Sequence, residues 1–128
     1  MGKLYLCDME KEFIPYEQAL ELKELDYDKP CLASWNFYTR ELNYNGQPSI
    51  FSSEDVIQLP TYSQVFRWFR EKYGIDVVIG VAYDKGKTFY LRIETGPTSG
   101  YQYFDSKFKT YEEAELACLM KMIEIKKK

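Results

Sequence analysis

The chain has 128 residues, 45% hydrophobic and 29% charged, enough to bury a core without help from disulfides or metals. It contains no histidine, which removes Ser-His and Cys-His nucleophilic pairs, imidazole bases and most zinc sites. Its net charge of −3 divides into five Lys/Arg against eleven Asp/Glu in residues 1–59 and twelve against nine in residues 60–128; neither half is extreme enough for a nucleic-acid arm or an acidic tail, and the opposite signs suit two halves of one fold.

The first expected helix opens at Ile14-Pro15, proline being tolerated where the first turn has no amide to satisfy. It runs to Leu25, with Tyr16, Ala19 and Leu20 on the buried stripe and Glu17, Glu21 and Glu24 on a solvated face. Residues 31–42, with Trp35, Phe37 and Tyr38, read as a strand, Asn45-Gly46 as its turn and Ile50-Phe51 as a return. Residues 52–59 read as a connection.

Thr61 and Gln64 have the spacing of a capping box, and Gly74 marks a stop, so a second helix spans the residues between. At helical spacing Tyr62, Val65, Phe66, Phe69 and Tyr73 share its core face. Trp68 falls on one flank, a turn before Lys72, and Arg67 and Arg70 on the other.

Ile75 to Tyr83 then alternates at period two, Asp84-Lys85-Gly86-Lys87 turns the chain, and Phe89, Leu91 and Ile93 continue the apolar face against Tyr90, Arg92 and Glu94. The stretch Gly96 to Gly100 is a turn, without the ending of a phosphate loop. A third strand is expected from about Tyr101 to Phe108. Thr110 and Glu113 form a second capping box, and Lys126 to Lys128 complement the end of the last helix. That helix carries two apolar stripes: Tyr111, Ala114, Cys118, Met122 and Ile125, and then Leu116, Leu119, Met120 and Ile123. The whole implies a single α+β domain over residues 1–128. Three helices pack on a mainly antiparallel sheet, in the order α-β-β-α-β-β-(β)-α.

Little in this pattern points to catalysis. Cys7, Cys31 and Cys118 are odd in number and lack C-x-x-C spacing, which fits a reducing compartment. Asp8, Glu10 and Glu12 alternate near the start and read as solvated acids, and no cofactor or metal set emerges. No window is long and apolar enough to span a membrane, and residues 1–8 are too short for an export signal. The cytoplasm is the expected setting.

Binding is the function class that remains. Trp68 flanked by Arg67, Arg70 and Lys72 has the composition of an interface anchor. The stripe Leu116, Leu119, Met120 and Ile123 would give an apolar face for a protein partner or for self-association. The alternative is nucleic acid. Residues 61–125 follow the helix, three strands, helix order of a double-stranded-RNA-binding domain. Yet Thr110-Tyr111-Glu112-Glu113 stands where such domains hold phosphate, leaving Arg67, Arg70, Lys72, Lys107 and Lys109 as the basic group.

Three blocks, residues 13–25 with Lys29-Pro30-Cys31, residues 60–74, and Thr110-Tyr111-Glu112-Glu113-Ala114-Glu115 with Cys118-Leu119, together resemble a family of small proteins of gut Bacteroides and their phages. That family has no assigned biochemical role. The resemblance implies a prophage or mobile-element origin and a cytoplasmic setting, with no activity or residue roles to carry over; the non-enzymatic accessory reading rests on the residues themselves.

Overall fold

A computed structural model describes residues 11–83, 85–95 and 102–127. Among them the order is α1 (Tyr16–Glu24), β1 (Cys31–Asn36), β2 (Glu41–Ser49), β3 (Val56–Leu59), α2 (Tyr62–Tyr73), β4 (Asp76–Ala82), β5 (Thr88–Glu94), β6 (Gln102–Phe108) and α3 (Tyr111–Lys127). The class is α+β, with one strand more than expected in the first half. The strands form two antiparallel three-stranded sheets, ordered β2-β1-β3 and β4-β5-β6, and the chain divides into two compact units, Met1–Tyr62 and Ser63–Lys128.

In the first unit Pro15 stands just outside α1 and its carbonyl accepts from the amides of Gln18 and Ala19. The helix buries Ala19 and Leu22 and packs on β3. Leu20, expected in the core, is 41% exposed. Leu22 lies about 60° to one side of Ala19 on a helical wheel and Leu20 about 100° to the other, and the sheet covers the first of these. Tyr16 stacks on Trp35 at 4.9 Å and meets Phe37 edge-on at 5.4 Å.

The expected turn at Asn45-Gly46 is placed differently. The chain reverses at residues 37–40, where Asn36 Oδ1 accepts from the amides of Tyr38 and Thr39 at 2.9 and 3.0 Å. A side chain that bonds the backbone two and three residues on imitates a backbone turn, and here it wins over the Asn-Gly pair. Asn45-Gly46 instead falls inside β2, where the register jumps from Ala33↔Tyr44 to Cys31↔Ser49. The irregularity is tied down by Asn45 Nδ2, which donates to Cys31 O and Gln58 Oε1. Ile50 and Phe51 are exposed and outside any strand, and the expected connection at 52–59 contains β3, whose Ile57 and Leu59 are buried beside Trp35 and Ala33.

The second unit is an α-β-β-β-α succession. β5 is the central strand, with Leu91 and Ile93 fully buried on the face over which α3 lies. Thr110 Oγ1 accepts from the Glu113 amide at 3.1 Å, and Glu113 reaches back to the Lys109 amide at 3.2 Å. This is the expected capping box, with its carboxylate one residue further back than usual. Gly74 ends α2 with φ +67°, its amide bonded to Arg70 O at 3.1 Å. An L side chain there would meet its own carbonyl. Gly74→Ala is expected to lower stability by about 1–2 kcal/mol, read as a lower urea midpoint with an unchanged slope.

Candidate interaction surfaces

The structure corrects the reading of Trp68. Its ring is 4% exposed, edge-on to Phe69 at 5.2 Å and to Tyr73 at 5.5 Å, with Lys72 Nζ 4.9 Å from its centroid. The buried arc of α2 is centred on Val65, with Trp68 about 60° to one side and Phe66 about 100° to the other. Trp68 is therefore core, and Phe66 takes the flank. Lys72 is drawn over Trp68 and Tyr73, while Lys126 of α3 sits 4.3 Å from the Tyr73 ring. These cations lie over aromatic faces and so extend the packing of the two helix ends.

The second stripe of α3 is corrected in the same way. Leu119 and Ile123 are buried together with Ala114, Cys118 and Met122, so the two stripes merge into one arc approaching half the helix circumference. Leu116 is half-buried at its margin. Met120 alone of the four is well exposed, at 51%. No continuous apolar face is left on this helix.

The basic residues do not form one cluster. Arg67 Nε pairs with Glu71 Oε1 at 2.9 Å on the solvent side of α2, an exposed i,i+4 pair of little energetic weight. Arg67 and Arg70 nevertheless line one groove of about 420 Å³ with Ser63, Phe66, Val77, Ile79 and Tyr111. Lys109 lies two residues before Tyr111, and Lys107 lies two before that, 3.8 Å from Asp105. Lys72 faces the aromatic core instead. The groove thus has an arginine wall, an apolar floor from β4 and an aromatic rim.

A different surface emerges from the other face of the second sheet. Val78, Arg92 and Phe104 are register partners across β4, β5 and β6 and form one row on the side away from α3. Phe104 is 60% exposed, Val78 39%, and Arg92 is exposed too. Tyr90 stacks on Phe104 with ring centroids 5.7 Å apart. Its ring also lies flat on Gly80, its partner across β4. A methyl group on Gly80 would come within 2.5 Å of the Tyr90 ring, so glycine is what lets the aromatic lie down. Arg92 Nε is 3.3 Å from Glu94 Oε1 on the same face. The signal was present in the sequence, since Val78 and Tyr90 are too apolar for a purely solvated face. Phe104 could be added only once the register of β6 was known.

Reactive chemistry is subdued where it can be described. Burial pushes the thiols of Cys31 and Cys118 up from 9.0 to about 12, so both stay protonated and poorly nucleophilic at neutral pH. Among the described residues no three Cys, Asp or Glu side chains are grouped to hold a metal ion, and no helix is long and apolar enough to cross a membrane. Cys7, Asp8, Glu10 and the stretch Gly96 to Gly100 lie outside the described residues. No family model, curated protein or solved structure matches the chain.

The burial of Trp68 makes it a stability residue. Trp68→Ala is expected to cost about 3–5 kcal/mol, and Met120→Ala no more than about 0.5 kcal/mol, both read from urea unfolding.

Proposed function

We propose that the protein is a non-enzymatic interaction domain that binds a protein partner through the open face of its second sheet. The observation that carries this reading is the exposed row Val78–Arg92–Phe104, with Tyr90 stacked behind it on Gly80. Aromatic and arginine side chains held rigid on a strand lose little entropy on binding and have the composition of interface hot spots. A second copy of the chain is the simplest partner. The face carries both signs, Arg92 against Glu94 and Asp76, beside an apolar centre, so a two-fold arrangement can set Arg92 of each copy against an acid of the other. The prophage or mobile-element origin and the cytoplasmic setting implied by the resemblance of the helix blocks belong to the same proposal.

Sedimentation velocity over a concentration series tests it. A dimer is expected for the parent chain, weakened more than about tenfold by Phe104→Glu and by Arg92→Glu, while Met120→Glu leaves it unchanged. If the parent stays monomeric, the two sheet variants must reduce capture of a protein partner from host lysate. Unaltered capture sinks the reading.

One observation favours a second reading, nucleic-acid binding, because Arg67 and Arg70 share a groove with Tyr111 in a unit of α-β-β-β-α order. Guanidinium groups would hold phosphate, and Tyr111 offers a ring for stacking. Double-stranded RNA binding measured by fluorescence anisotropy is then expected to weaken steeply with salt. Alanine at both arginines should flatten the log–log slope by about 1 per residue. A flat response at low salt removes it.

A further inference from the structure

The first unit contains a pocket that neither reading uses. It is a cavity of about 350 Å³ between the C-terminal end of α1, the start of β1 and β3, with Ala19, Leu22 and Ile57 among its apolar walls and Lys23, Lys29 and Asp28 among its polar ones. Small-ligand sites have this size and this composition, an apolar body with a few charged groups that fix orientation. At about 30 Å³ for each water-sized group the space suits a ligand of roughly ten non-hydrogen atoms.

The charges narrow the chemistry. Neither Lys23 nor Lys29 has a carboxylate within ion-pair distance among the described residues. Both lysines are exposed, within reach of a ligand carboxylate. Asp28 offsets one of them, so the lining carries one net positive charge and matches a monoanion better than a phosphate dianion. Two other polar residues of the lining, Gln58 and Cys31, already donate to groups of the chain. Gln58 Nε2 donates to Phe51 O and its amide to Ser52 Oγ, while the Cys31 thiol donates to Lys29 O at 3.5 Å. A ligand there meets apolar walls, the half-buried Tyr27 and two exposed lysines.

We propose that this pocket binds a small aliphatic monocarboxylate, its chain against Ala19, Leu22 and Ile57 and its carboxylate held by Lys23 and Lys29. Hexanoate, with eight non-hydrogen atoms, is the probe, and 1-hexanol its neutral counterpart. The full-length ¹⁵N-labelled protein is titrated with each and followed by amide chemical shifts. Hexanoate is expected to give saturable shifts at Ala19, Leu22, Cys31 and Ile57, with a dissociation constant on the order of 1 mM. The Lys23→Glu/Lys29→Glu variant, altered only at exposed positions, is expected to keep its dispersed spectrum and to bind hexanoate at least about tenfold more weakly, with hexanol binding unchanged. No saturable shift up to about 20 mM, shifts centred elsewhere, or equal affinity for acid and alcohol would each overturn the proposal. The sheet-face variants leave this titration untouched, so its failure and theirs are separate results.

Discussion

Period two in β5 is the constraint on which the second unit rests. Leu91 and Ile93 must point one way and Tyr90 and Arg92 the other. α3 lies over the first pair, and the groove lined by Phe66, Arg70, Val77 and Ile79 places α2 beside β4 on that same side. With both helices on one face, the opposite face is what this unit has left to present. It is not furnished as a merely wet face. Beside Asp76, Thr88 and the arginine–glutamate pair it carries valine, tyrosine and phenylalanine, which a purely solvated strand face does not need. The loss of a side chain at Gly80 reduces strand propensity. Here that cost is offset by the ring of Tyr90, which covers the exposed backbone and gains a flat support beside Phe104.

This arrangement also separates the two functional readings in space. The arginine groove lies on the helix side of the sheet and the aromatic row on the other, with β4 contributing Val77 and Ile79 to one and Val78 to the other. Substitutions on one side need not disturb the other, because alternate residues of a strand do not share neighbours. The electrostatics differ as well. The groove holds two guanidinium groups, one of them paired with Glu71, and its affinity for an anion would depend on ionic strength. The row sets one base, Arg92, beside Glu94 and Asp76 around an apolar centre, and its affinity would depend chiefly on area removed from water.

Much of the fold was legible because local chemistry and tertiary packing agree. The Thr110–Glu113 cap, the alternation through β4 and β5 and the stop at Gly74 each require only neighbouring residues, and each is found in place. The misreadings have a common origin in choices that local sequence leaves nearly degenerate. In α2 either Phe66 or Trp68 could complete an aromatic stripe with Val65 and Phe69, and only the orientation of the helix on its support decides. In α3 two stripes more than a quarter turn apart could be two surfaces or one broad one; a helix seated deeply takes the second option. In β2 the Asn45-Gly46 pair is a competent turn, but Asn36 closes an earlier one, and the leftover residues become an irregularity in the strand. The candidate site suffered most, because it was chosen for large apolar residues outside the expected stripes, and those are the residues a slightly rotated helix buries first.

The carboxylate pocket shows that net charge and local charge need not agree. Residues 1–59 carry six more acids than bases, so a distant anion meets a repulsive field, yet the pocket mouth holds Lys23 and Lys29 against Asp28 alone. These two contributions respond differently to salt. The long-range field acts over distances comparable to or greater than the Debye length, about 8 Å at physiological ionic strength, and is screened first. A carboxylate in contact with an ammonium group is screened much less. Moderate salt should therefore weaken the repulsion more than the attraction, and hexanoate binding should hold or strengthen slightly as salt rises from low values. An anion bound by the arginine groove of the second unit would do the opposite, because there the long-range field of residues 60–128, with three more bases than acids, works with the contact. The sign of the salt dependence thus identifies which half of the chain is holding an anion, even before any residue is changed.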